Sequence, residues 1–330
     1  MMMMVTVLVL LLVLIFVVDV VSSSSSIIIN GNSGDSSTTY KETIITTNST
    51  MPLPFTRVIE LTDPLMYGND VLIASTLLSR CADIPRSYIP SNTYDNTSQS
   101  NIILFQTNNK LDINGIIDGP TASLLLSLYS SDGYKDKGVS AGSMGYLYKI
   151  VIPVYNNRSI ETASTLYDKD NNVVLTFTTR AHGHRNDGSS TPWPDFGDGD
   201  IGLTQFASSG ATVTGLIAID LNTPEPDSQL YGPWPVNRFV RGIDGNAKLL
   251  LPHIRDGILI HTGNWTTDNE TWHPSMSMPN SAGCVHTHPS DVERIYKALT
   301  KLGVVAHDNP FSGENYPYEP QGIAIVQQMD

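Results

Sequence analysis

The chain has 330 residues, enough for two ordinary domains and a tail, and 40% of them are hydrophobic, enough for a buried core. Net charge is −13 and no basic run occurs, which argues against nucleic acid, because phosphate binding needs clustered Lys and Arg. Only 15% of residues are charged and two are cysteines, Cys81 and Cys284, so the surface leans on neutral Ser, Thr and Asn, as exported proteins commonly do.

Val5 to Val18 is an apolar run of signal-sequence length, closed by Asp19 and followed by small residues. It reads as an export signal over residues 1–23, with an uncleaved membrane anchor as the alternative. Residues 24–55, rich in Ser, Thr, Asn and Gly, hold too little apolar surface to fold and read as a disordered linker. Residues 56–135 read as a small three-helix module. Its helices lie over Asp70 to Leu78, around Ile102, Ile103 and Phe105 with Ser100 as the cap, and after Pro120-Thr121 through Leu124 to Leu128.

Strand patterns take over from Tyr146. Tyr148 to Val154 is an apolar run, and Ser159 to Tyr167 pairs with Val173 to Thr179 as a hairpin about Asp168–Asn172. Further strands are expected over Thr212 to Leu221, Gly257 to Gly263 and Gly322 to Val326. One helix stands out. Ser290 and Glu293 have capping-box spacing, Val292, Ile295, Leu299 and Leu302 form a stripe, and Gly303 stops it.

Chemistry concentrates in two segments, Ile260-His261-Thr262-Gly263 and Ser281-Ala282-Gly283-Cys284-Val285-His286. A free thiol is mostly protonated at neutral pH and needs a base to become a nucleophile. His261, on a strand, is the candidate base. Gly283 allows close approach of backbone or ligand, and N–H groups near Cys284 offer an oxyanion hole. A competing reading places Cys284, His286 and His288 on one strand face, with His261 or His273, around zinc. Trp193, Trp234 and Trp265 are candidate cleft aromatics; Asp198 and Asp200 read as solvated carboxylates. Sequons at Asn48, Asn96, Asn157, Asn264 and Asn269 are as many as chance supplies in so Asn- and Ser-rich a chain, so glycosylation is not inferred.

His261-Thr262-Gly263, a loop, then Ser281-x-Gly283-Cys284-x-His286 resembles the catalytic signature of the YkuD-type L,D-transpeptidases. Gly210-Ala-Thr-Val-Thr-Gly215 resembles an upstream segment of that family, and the resemblance spans residues 146–330. Gly68-Asn-Asp-Val71, Leu104-Phe-Gln106, Leu111 to Ile116 and Gly119-Pro-Thr121 resemble a peptidoglycan-binding module. The chain departs from the catalytic pattern at Ala282, where His is usual, and at His286, where Arg or Asn is usual. If position 286 meets a substrate carboxylate, acid would strengthen the contact.

The resemblance implies an α+β multidomain protein: the helical module, then a mainly β, sandwich-like catalytic domain. It implies catalytic roles for Cys284, His261, Gly283 and Ser281, and substrate contacts at His286, Thr262, Gly263 and Trp265, with no cofactor and no metal. The implied partner is a peptidoglycan stem peptide. The implied reaction is attack by Cys284 on a stem tetrapeptide to form a thioester, which passes to an amine or to water. A wall-binding protein with an inactive catalytic domain and a hydrolase of bacterial peptidoglycan are the alternatives. The low-complexity Ser, Ile and Asn runs suggest a eukaryotic microbe, for which the wall would be that of ingested bacteria. The expected location is secreted or extracytoplasmic, endolysosomal or phagosomal in such a host. No stable protein partner is inferred.

Overall fold

The helical layer is set by its caps. In the computed structural model, which describes residues 51–183, 204–266, 271–309 and 316–330, α1 spans Asn69–Ser79, α2 Asn96–Asn108 and α3 Gly119–Tyr129. Asp95 caps α2 by accepting from Ser98 N, and Asp118 caps α3 by accepting from Thr121 N, with Pro120 in the first turn. Ser100, expected as a cap, lies inside α2 and donates to Asn96 O instead. An Asp five residues upstream had already satisfied the open N–H groups. Ile73, Leu77, Ile102, Phe105 and Leu125 fill the space between the helices. Gln106 is fully buried as a latch: its Nε2 donates to Asn114 Oδ1 and Ile116 O, and its Oε1 accepts from Asn114 N and Gly115 N. With every polar atom engaged, this side chain orders the Leu111–Ile116 turn and is not free for a ligand.

Eight strands follow: β1 Tyr148–Val154, β2 Thr162–Asp168, β3 Val173–Arg180, β4 Gly215–Asn222, β5 Val236–Asp244, β6 Leu259–His261, β7 Val285–Thr287 and β8 Gly322–Gln328. They close in the order β1-β2-β3-β7-β6-β5-β4-β8. The expected sandwich-like arrangement is thus corrected to a closed barrel. The reason is β8, which lies parallel to β1 on one edge and antiparallel to β4 on the other, so no edge is left open. Ile150, Ile152, Ile217, Ile219, Ile258, Ile260, Val285 and Val326 point into one core that runs on into the helical layer.

β5 carries no clear apolar alternation because two of its buried residues are polar. Asn237 accepts from Tyr148 Oη (2.8 Å), and Arg238 pairs with Glu225 (2.5 Å). Two short helices, α4 Ser228–Tyr231 and α5 Asn246–Leu250, and a longer one, α6 Pro289–Lys301, complete the barrel side. α6 buries Val292, Ile295 and Leu299 as its stripe predicts. Its capping box does not form, because the helix starts at Pro289 with His288 as an N-cap lacking a side-chain bond, and Glu293 pairs with Lys297 one turn on.

Residues 48–330 form one compact unit, with α1–α3 over 69–129 and the strands over 148–328. Arg80 of the helical layer reaches Asn246 Oδ1 (2.6 Å) at α5, and Asn246 Nδ2 returns a bond to Ser130 O (2.7 Å). Phe55, at the end of the stretch read as linker, is 1% exposed. The expected leader, the linker up to residue 50, Trp193, Asp198 and Asp200 lie outside the described residues. Among the described residues no helix is long and apolar enough to cross a membrane.

Candidate active site

β6 and β7 lie side by side and parallel, pairing Ile260 with Val285 and His261 with His286. Ile260 and Val285 turn into the core, so His261 and His286 share the opposite face. Cys284 sits one residue before β7, half-buried. The topology thus joins two motif segments that residues 262–280 separate in sequence.

The loop carrying Cys284 is braced on every side. Ser281 Oγ donates to Cys284 O (2.7 Å) and accepts from Gly283 N (3.0 Å), and Ser281 N donates to His182 O (2.9 Å). Thr212, from the upstream motif segment, donates through Oγ1 to Gly283 O (2.9 Å). Ser281 and Gly283 therefore act on the shape of the loop, and the Gly283 N–H is engaged rather than open to an oxyanion.

Gly283 must be glycine for two reasons. Its φ is +109°, and a β-carbon there would lie 1.9 Å from Arg255 Nη2. Arg255 is 2% exposed, and the sequence reading missed it. Its guanidinium donates to Gln205 O (2.6 Å), Gly210 O (3.1 Å), Ala211 O (3.3 Å) and Ala282 O (3.1 Å). It thereby ties the 205–211 loop to the nucleophile loop. Burial pushes its pKa down to about 10, with the potential charges on Cys284 and Asp256 opposing. A lone Arg in Pro252-His-Ile-Arg-Asp-Gly257 looks like surface; only its burial marks it out.

The resting state is neutral. Burial pushes the Cys284 thiol up to about 11, against the Leu259 backbone and the charges of Arg255 and Arg238, which favour the thiolate. The thiol donates to Gly257 O at 3.7 Å. Burial holds His261 down at about 4, against the Thr262 and Leu230 carbonyls. Its Nδ1–H donates to Thr262 O (2.9 Å), which leaves Nε2 as the basic atom. No hydrogen bond joins His261 to Cys284 among the described residues. The two share Tyr231, whose ring centroid is 5.0 Å from that of His261 and whose hydroxyl is pushed up by burial first and then by the charge Cys284 would carry. Catalytic bonds of this kind are often long before substrate binds.

One expectation follows directly. A thiol near 11 beside an imidazole near 4 gives an iodoacetamide alkylation rate that climbs about tenfold per pH unit from pH 7 to 9. A flat rate over that range would show a thiolate–imidazolium pair already formed.

The expected substrate contacts are placed differently. His286 is 1% exposed; its Nδ1–H donates to Pro279 O (2.8 Å) and its ring packs on Trp265 (4.5 Å) and His261 (4.8 Å). Burial, His261 and Arg180 hold it well below its ordinary pKa. It is a buried packing partner of His261. Trp265 and Thr262 are also buried, and Gly263 packs against the Gln229 and Leu230 carbonyls. The open space lies on the other side, in a cavity of about 260 Å³ lined by Glu225, Asp227, Tyr231, Arg238, Gly257 and Leu259. Gly257, Leu259 and Tyr231 are the neighbours of the Cys284 thiol itself. Among the described residues no three His, Cys, Asp or Glu side chains converge as a metal set would.

None of the curated proteins compared with the chain matches it. Among solved structures, the crystal structure of a fused Zn-dependent amidase/peptidase/peptidoglycan-binding domain-containing protein from Clostridium acetobutylicum ATCC 824 aligns at 13% identity. The alignment covers 82% of this chain and 99% of that one, but a TM-score of 0.22 is too low to carry an argument. The family comparison is specific: residues 159–306 match the model of the YkuD family, L,D-transpeptidase catalytic domain. That interval holds the thiol, the imidazole, the buried arginine and the loops that brace them, and the chain therefore carries an L,D-transpeptidase catalytic domain of the YkuD family.

Proposed function

We propose that the chain is a peptidoglycan acyltransferase of the L,D-transpeptidase type in which Cys284 is the nucleophile and His261 the base. The observation that carries this reading is the placement of the thiol. It is half-buried on a loop braced by Ser281, Thr212 and Arg255, next to the β6–β7 pair that holds His261, and beside a cavity of about 260 Å³. A nucleophile must be held still and still reach its substrate.

In the proposed reaction the stem tetrapeptide enters from the cavity. Cys284 Sγ forms a C–S bond to the carbonyl of the third residue, the C–N bond to the terminal residue breaks, and the thiol proton passes through His261 to the departing amine. The thioester then passes to an amine, which makes a cross-link, or to water, which makes a shortened stem. A neutral imidazole at rest suits this sequence, because it accepts the proton only as the sulfur bonds to carbon. The residue at 286 plays no direct part; its ring fixes that of His261.

Intact-protein mass after incubation with a carbapenem tests the proposal. A single covalent adduct mapping to Cys284 is expected. Wall pull-down without adduct or product would leave a binding protein with an inactive catalytic domain. With stem tetrapeptide, product masses separate cross-linking from hydrolysis of foreign peptidoglycan.

A further inference from the structure

A second polar cavity, of about 100 Å³, lies outside the candidate active site between the helical layer and the barrel. It is several times the roughly 10–15 Å³ that a single water needs, and of a size for a small anion. Its lining includes Arg158, Ser131, Asn156, Thr204, Gln205 and Gln328, and among the described residues that line it none is acidic.

Arg158 stands on the loop between β1 and β2 with five N–H donors. One of them bonds to Thr212 O, at 3.3 Å. The carboxylate that acts on it electrostatically, Asp132, is already engaged by Thr214 Oγ1 (2.7 Å), Tyr134 N (3.1 Å) and Asn246 N (2.6 Å). Burial pushes the guanidinium down to about 10, with the charge of Asp132 opposing.

Elsewhere in the lining, Gln205 and Gln328 use amide donors within the protein, on Ser130 O (3.4 Å) and on Asn156 Oδ1 (2.9 Å). Asn156 Oδ1 thus accepts a bond, Gln205 Oε1 accepts from Thr214 N (2.7 Å), and Thr204 Oγ1 accepts from Phe206 N (3.2 Å). The Asn156 amide and the Thr204 hydroxyl are left to donate. A planar guanidinium with the Asn156 amide and the Thr204 hydroxyl beside it is complementary to an oxyanion.

We propose that Arg158 and the donors around it form a binding site for a small oxyanion, distinct from the Cys284 site. The assignment stands whether or not Cys284 is a nucleophile. Carboxylate and phosphoryl groups share the required chemistry. The net charge of −13 disfavours diffuse anion adsorption, so saturable binding would report a built site.

The test is calorimetric titration of the full chain with acetate and, separately, with inorganic phosphate, at constant ionic strength. Saturable binding is expected in the wild type, at least tenfold weaker in Arg158→Gln and partly restored in Arg158→Lys. Tighter acetate binding would point to a peptide carboxylate as the natural ligand, tighter phosphate binding to a phosphoryl group, and either supports the site. No saturable binding in the wild type, or equal binding in wild type and Arg158→Gln, overturns it. Should Arg158→Gln lose its fold by circular dichroism, Asn156→Leu keeps the cation and removes the amide donors. A fall of about threefold or more in affinity is then expected, and unchanged binding overturns the proposal.

Discussion

Cys284→Ala is expected to lower release of the terminal stem residue by on the order of 10⁴-fold or more, as loss of a covalent nucleophile does elsewhere. Stability should scarcely change. The thiol's one hydrogen bond is a long S–H···O contact of 3.7 Å, and the side chain is only half-buried. An exchange of this kind stays within about 1 kcal/mol. Product release followed by mass, with a urea melt of the same sample, reads both quantities. A variant that melts like the wild type yet keeps its activity would remove Cys284 from the chemistry.

The second large effect belongs to Arg255. Arg255→Met keeps most of the volume but leaves four carbonyl acceptors, of Gln205, Gly210, Ala211 and Ala282, without their donor. Hydrogen bonds to a charged group contribute about 1.5–3 kcal/mol each and are not additive, so a loss of about 3–5 kcal/mol is expected, read as a lower urea midpoint. The thiol of Cys284 should also titrate higher, because the guanidinium is among the charges that favour its thiolate. Arg255→Lys should keep part of that charge effect and less of the stability, because an ammonium cannot fork between two loops.

Gly283→Ala attacks the same junction from the other side. The new methyl would meet Arg255 Nη2 at 1.9 Å in a backbone region that L residues avoid. Backbone strain alone accounts for about 1–3 kcal/mol, and the clash adds to it. Removing the guanidinium relieves the clash but not the strain. The double variant should therefore be less damaged than the two single losses added together, a coupling that a urea-melt cycle measures.

The parts of the molecule that could be read from the chain are those set by neighbours close in sequence. Pro120 after Asp118, the stripe of Val292, Ile295 and Leu299, and the turn at Asp168–Asn172 each specify an element within about one or two turns of chain. Where a local pattern had a competitor, the structure chose differently: Asp95 displaced Ser100 as a cap, and Pro289 started α6 one residue before the expected box. β5 escaped notice because Asn237 and Arg238 are buried through partners, Tyr148 and Glu225, that lie far from β5 or outside it.

The sequence by itself determined the composition of the nucleophile loop, with Ser281, Gly283 and Cys284 at fixed spacing, and the presence of His261 on a strand. Tertiary structure alone decided how those groups behave. Strand order laid His261 against His286, Tyr231 and Trp265 packed over them, and Arg255 came up beneath Gly283. Burial and protonation depend on what surrounds a group in space, and the chain brings those surroundings from tens of residues away, where no local pattern records them.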